Sequence, residues 1–108
     1  MVARVTVAAT VQRGAVVPVR INILHKMETG HRYDVDGRAI PKNVIHTLTC
    51  RFLGETIFRA EMGSGMAANP SVQFYFVADA VGEGELLFEW QDDTGQRGSQ
   101  RTALKVLA

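Results

Sequence analysis

The feature that most limits how this chain can fold is a two-residue alternation of apolar side chains, repeated in short stretches separated by turn residues. Alternate residues of a strand face the same side, so each stretch reads as a half-buried β-strand. Val5, Val7, Ala9 and Val11 form the first such face. After the turn at Gln12-Arg13-Gly14, Val17, Val19, Ile21 and Ile23 alternate with Pro18, Arg20 and Asn22, and the strand runs to about His25. Pro18 has no N–H for a ladder, so an edge or a strand start is expected there. Val44, His46, Leu48, Cys50 and Phe52 form a third face, with Ile45, Thr47, Thr49 and Arg51 opposite. Leu53-Gly54-Glu55 turns the chain back through Phe58, Ala60 and Met62 as a hairpin. Val72, Phe74 and Phe76, then Leu86, Phe88 and Trp90, then Thr102, Leu104 and Val106 complete the pattern. Glycine- and aspartate-rich turns at 81–84 and 92–95 separate the last three.

No stretch shows sustained helical periodicity. About seven short strands in 108 residues predict an all-β fold, an immunoglobulin-like β-sandwich forming a single domain over residues 1–108. Cys50 is the only cysteine, so no disulfide can join the sheets and packing must do so. Burying Phe52, Phe58, Phe74, Phe76, Phe88 and Trp90 would contribute roughly 2–3 kcal/mol each, before the entropy cost of folding.

The charge pattern excludes several functions. Net charge is +1 and the basic residues are scattered, so the stripe that a nucleic-acid binder needs is absent. No apolar run is long enough for a membrane helix. Residues 1–9 lack the basic and apolar regions of a signal peptide.

From Lys26 to Asn43 the alternation stops, and Gly30, Asp34, Asp36, Gly37 and Pro41 appear among scattered charges. A connection this long is either a slack crossover between sheets or a functional loop.

Catalytic and metal chemistry find little footing. Cys50 shares its face with Leu48 and Phe52, while Arg51 points the other way, which favours a buried, inert thiol. His46 and Cys50 lie roughly 13 Å apart at the usual strand rise, too far to share a zinc ion. His25 and His31 flank the loop without a third ligand, and His25 and His46 read as strand-end or half-buried residues with hydrogen-bond partners. Asp34-Val35-Asp36-Gly37 resembles the start of a calcium loop but lacks the closing glutamate, so it reads as a turn, as does Asp92-Asp93. No cofactor, metal or catalytic residue is expected. Binding is better supported: Ile45, Thr47, Thr49, Arg51, Ile57 and Arg59 give the hairpin's second face a mix suited to an interface rather than the Lys and Glu of a solvated one.

One family matches these segments in order. His25-Lys26-Met27-Glu28-Thr29-Gly30-His31-Arg32, with Asp36-Gly37-Arg38 and Ile40-Pro41, resembles the signature loop of the SoxZ family. Cys50-Arg51-Phe52, Gly54-Glu55, Phe58-Arg59-Ala60, Ala68-Asn69-Pro70, Phe74-Tyr75, Gly84-Glu85-Leu86, Trp90, Asp92-Asp93 and Gly95 continue the likeness across nearly the whole chain. Lys26 stands where the family commonly has proline.

The resemblance implies a non-catalytic, immunoglobulin-like subunit that pairs with SoxY, whose flexible glycine-rich arm ends in a sulfur-carrying cysteine. It further implies thiosulfate oxidation in the periplasm, export together with the signal-bearing partner, and transient contact with other Sox enzymes. The ending Lys105-Val106-Leu107-Ala108 carries no such arm. On this reading the partner-binding candidates are Met27, Glu28, Thr29, Gly30, Arg32, Asp36, Gly37 and Pro41 of the loop, Asn69 and Pro70 of the corner, and Arg51 and Arg59 of the hairpin. Two other readings remain: a stand-alone immunoglobulin-like protein-binding module, and a small redox enzyme using Cys50.

Overall fold

The computed structural model describes residues 2–108 as an all-β, immunoglobulin-like sandwich. Its strands are β1 (Ala3–Thr6), β2 (Thr10–Gln12), β3 (Val16–Ile23), β4 (Ile45–Phe52), β5 (Glu55–Glu61), β6 (Ser71–Val77), β7 (Gly82–Asp92) and β8 (Arg97–Leu107). One sheet has the order β1-β3-β6 and the other β2-β8-β7-β4-β5.

The first alternating stretch is two strands rather than one. β1 pairs antiparallel with β3, and β2 pairs parallel with β8 in the opposite sheet. Ala8 and Ala9, small and exposed, carry the chain across. Periodicity cannot reveal such a switch, because the two halves keep the same alternation while changing ladders.

Pro18 lies in β3 at a place flanked on one side only. β1 ends at Thr6, opposite Arg20, while Pro18 pairs with Tyr75 of β6. The missing N–H therefore falls beyond the end of β1, where no ladder needs it.

The inner faces meet as the alternation predicts. Val17, Val19, Ile21 and Ile23 of β3 oppose Leu48, Cys50 and Phe52 of β4 and Leu86, Phe88 and Trp90 of β7, all buried. Phe58 stacks on Phe74 with ring centroids 4.2 Å apart, closing the side where β5 and β6 are the two edges. The fold holds its sheets through this packing, with Cys50 a free thiol in the middle of it.

Two local features depart from regular alternation. The pairing of β4 with β7 shifts between Ile45 and Thr47, which turns Ile45 inward, fully buried beside Val44. The β4–β5 turn has both central residues at positive φ, Leu53 at 49° and Gly54 at 82°, the twist that suits a tight hairpin. A leucine in that region costs about 1–2 kcal/mol. Its side chain lies over Gly84, where a Cβ would come within 2.8 Å of it, so packing offsets the strain.

Trp90 covers Gly98 on the neighbouring strand, and a Cβ there would overlap the indole ring. Gly98 is not among the glycines at positive φ, so its absence of a side chain serves packing alone. Gly98→Ala is expected to destabilise the fold by about 1–3 kcal/mol. A urea titration should show a lower midpoint with an unchanged slope.

Candidate functional site

The loop-bearing end of the sandwich is organised by two polar residues on apolar faces. β3 directs Val17 to Ile23 inward at alternate positions, and His25 continues that parity just past the strand. β7 directs Leu86, Phe88 and Trp90 inward, and Asp92 follows them. Both polar groups are buried, and His25 Nε2 lies 3.1 Å from Asp92 Oδ2. His25 Nδ1 accepts the Met27 N–H at 2.9 Å, so the ring proton sits on Nε2 and is donated to the carboxylate.

The other carboxylate oxygen closes the β7–β8 turn. Asp92 Oδ1 accepts the Thr94 hydroxyl at 2.6 Å and the backbone N–H groups of Thr94 and Gln96 at 3.0 Å. Burial alone would raise this carboxyl group's pKa. The hydrogen bonds from the Thr94 side chain, His25, and the backbones of Gln96 and Thr94 outweigh burial and hold it below the usual carboxylate value.

The backbone of His25 is gripped from the other side. Asn69 donates its N–H to the His25 carbonyl at 2.7 Å, and its Oδ1 accepts the His25 N–H at 3.0 Å. Asn69 does this at φ 52°, a conformation that asparagine tolerates better than most residues. Met27 is buried, and its sulfur accepts the Ile45 N–H at 3.3 Å.

Beyond this anchor the long connection is an ordered, irregular hairpin. Glu28 and Asn43 exchange two backbone hydrogen bonds of 2.8 and 2.9 Å, and Tyr33 pairs with Ala39 further out. Asp34 Oδ1 accepts the N–H groups of Asp36 and Arg38, which fixes the tip as the expected turn. Arg32 reaches back to Glu28 at 2.9 Å. Residues 31–39 are all exposed, with Tyr33 and Val35 the large apolar groups among them. An open groove of about 820 Å³ beneath is lined by Leu24, Lys26, Glu28, Arg32, Ile40 and Asn69, among others.

The structure thus brings the 27–41 loop and the Asn69–Pro70 corner together. Met27 and Pro70 face the protein's own interior, while Glu28, Thr29, Gly30, Arg32, Asp36, Gly37, Pro41 and Asn69 lie nearer the surface. Arg51 and Arg59 are elsewhere, on the outer face of the five-stranded sheet.

That outer face corrects the reading made from the hairpin by itself. Ile45 is in the core because of the bulge, and Ile57 packs against the core. β7 and β8 add Glu83, Glu85, Glu89, Arg97, Arg101 and Lys105, and Arg51 pairs with Glu89 at 3.1 Å. The face is charged and solvated, and β5 itself adds Glu61, paired with Arg59 at 3.1 Å. An apolar exposed patch occurs instead on the three-stranded sheet. There the cross-strand pairs Val16–Val77 and Pro18–Tyr75 lie side by side, with Val16, Val77 and Tyr75 exposed by 63, 55 and 64 %. Alternation signals core faces well, but it says nothing of an apolar row on an outer face such as this one.

Cys50 is fully buried, and burial pushes its thiol up to about 12. Among the described residues no three His, Cys, Asp or Glu side chains cluster in a way that could hold a metal ion.

These features define an immunoglobulin-like sandwich with an ordered hairpin loop anchored at one end. The model of the family described as sulphur oxidation protein SoxZ matches residues 4–103, and the chain belongs to that family. No match to the chain is found among curated proteins. Among solved structures, a superoxide reductase (neelaredoxin) from Ignicoccus hospitalis is 17% identical at a TM-score of 0.70, covering 98% of this chain and 80% of that one. A variant of the Archaeoglobus fulgidus superoxide reductase in its reduced form is 19% identical at a TM-score of 0.61, with coverages of 96% and 87%. At these identities the likeness is one of fold.

The buried groups Asp92 and Cys50 both have measurable consequences. Asp92→Ala would strand the donors of His25, Thr94 and Gln96, a loss of at least about 3 kcal/mol measurable by denaturant unfolding. Because the Asp92 pKa is lowered in the folded state, its contribution is complete above the unfolded-state value of about 3.9 and disappears as pH falls through the folded value. Stability of Asp92→Asn should accordingly fall less steeply than that of the parent below that pH. Cys50 should resist alkylation at pH 8 in the native protein and react at once in denaturant, as mass spectrometry would show. Cys50→Ser should fold with some loss of stability.

Proposed function

We propose that this protein is the non-catalytic subunit of a sulfur carrier, binding a SoxY-like partner whose terminal cysteine arm holds covalent sulfur intermediates during thiosulfate oxidation. The family match over residues 4–103 carries this reading. The chemistry of the chain agrees with it: its one thiol is buried at a raised pKa and so is a poor nucleophile, which leaves the covalent step to the partner.

The partner's body packs on the apolar row of Val16, Pro18, Tyr75 and Val77, where cross-strand neighbours give a continuous surface without charge. The hairpin at 28–43, with Arg32, Asp36 and Arg38 at its outer part, shapes the approach to the loaded arm and meets the enzymes that act on it. The complex works in the periplasm, reached by export of the folded pair on the partner's signal.

Co-expression with a candidate carrier subunit ending in Gly-Gly-Cys-Gly-Gly, followed by gel filtration, tests the proposal. A stable heterodimer is expected, and Tyr75→Glu together with Val77→Glu should weaken it at least about tenfold, the effect of stranding charge in a desolvated patch. A monomer that forms no complex would refute the reading.

A further inference from the structure

Besides the edge strands β1, β5 and β6, the sandwich leaves a long stretch of β8 without a neighbour on its outer side among the described residues. β2 covers only Lys105–Leu107 of β8, since the chain leaves that ladder at Ala9 for the other sheet. Upstream, Arg97 to Leu104 pair with β7 alone. The direction of the free backbone groups follows from two hydrogen bonds. Lys105 donates its N–H outward to the Ala9 carbonyl, whereas Gln96 accepts from Asp92 on the β7 side. Alternate residues along a strand point the same way, so Ser99, Arg101 and Ala103 present their N–H and C=O groups to the open side.

The Gln100 side chain already donates to the Arg101 carbonyl at 3.2 Å. Beside this edge runs an open groove of about 720 Å³ between β1 and β8, lined by Ala3, Val5, Gln100 and Thr102 among others.

Charge selects the occupant. On the outer face β7 carries Glu83, Glu85 and Glu89, and β8 beside it carries Arg97, Arg101 and Lys105. In the open stretch β8 presents Arg97 and Arg101 beside the acidic row of β7, so a next strand out is favoured if it is acidic. A second copy of this chain would bring one basic β8 row beside another and is disfavoured on charge: antiparallel pairing about Arg101 sets Arg101 against Arg101, and pairing about Ser99 sets Arg97 against Arg101.

We infer that the open β8 edge accepts an extended segment of a different protein by strand addition, with carboxylates at alternate, outward positions and small apolar residues turned into the groove. This surface lies apart from the apolar patch assigned above to the carrier partner, and its test does not depend on that assignment.

The test uses the whole protein and a capped Glu-Val-Glu-Val-Glu-Val-Glu peptide, with amide exchange followed residue by residue. Saturable binding is expected, with slowed exchange at Ser99, Arg101 and Ala103. The Lys-Val counterpart and a peptide N-methylated on its hydrogen-bonding edge should each bind at least about tenfold more weakly. Ala103→Pro removes an outward donor without touching the β7 ladder and should have the same effect; if it does not fold, the N-methylated peptide makes the same cut from the other side. Absence of binding at millimolar peptide would overturn the inference and leave the basic row as a guard against edge pairing. Equal binding of the lysine peptide would overturn it too, as would slowed exchange at Ala3 and Val5 of β1 in place of β8.

Discussion

The architecture of the loop end depends on one buried carboxylate. Asp92 sits where β7 hands over to β8, and its two oxygens act on different elements: one closes the turn through Thr94 and Gln96, the other holds His25 at the exit of β3. An ionised group so deeply placed persists only when it is fully hydrogen-bonded. His25 in turn receives the Met27 N–H, so the carboxylate fixes the ring and the ring fixes the start of the long hairpin. The two sheets, held elsewhere by apolar contact, are joined here by directional bonds. Such bonds set the geometry of a neighbouring loop in a way that apolar packing does not.

Much of this was readable from residue order. Parity along β3, β4, β7 and β8 named the core, and the glycine and aspartate turns separated the strands. The same parity held a clue to the buried pair, because His25 and Asp92 fall on the inward positions of apolar strands, where a polar group needs an internal partner. That the two are partners to each other was invisible, since they are far apart in sequence and meet only through the sandwich topology. The strand switch at Ala8-Ala9 and the bulge at Ile45 were equally hidden, for both are changes of hydrogen-bond ladder rather than of side-chain type.

That the outer face is more charged than its hairpin suggests has a simpler cause. A sheet surface belongs to all of its strands, and reading β4 and β5 without β7 and β8 omits most of its charge. Once the strand order is known, the acidic row of β7 beside the basic row of β8 becomes visible, and the smaller sheet stands out, since its outer row of Val16, Pro18, Tyr75 and Val77 carries no charge. Loop residues such as Glu28, Arg32 and Asp36 are brought to one end by the hairpin, whereas Arg51 and Arg59 belong to a different surface. The sequence candidates therefore fall on two separate surfaces, the loop-bearing end and the outer face of the five-stranded sheet.

The division of the first alternating stretch between two sheets also bears on how the molecule responds to force. β2 runs parallel to β8, with Arg13 donating to the Leu107 carbonyl at 2.8 Å and Lys105 to that of Ala9 at 3.0 Å. Tension applied between the two ends of the chain pulls these strands in opposite directions along their length. The hydrogen bonds between them are then loaded together in shear rather than opened one after another. A short parallel pairing, negligible as a share of the core, thereby becomes a mechanical clamp, loaded once β1 has been drawn off β3.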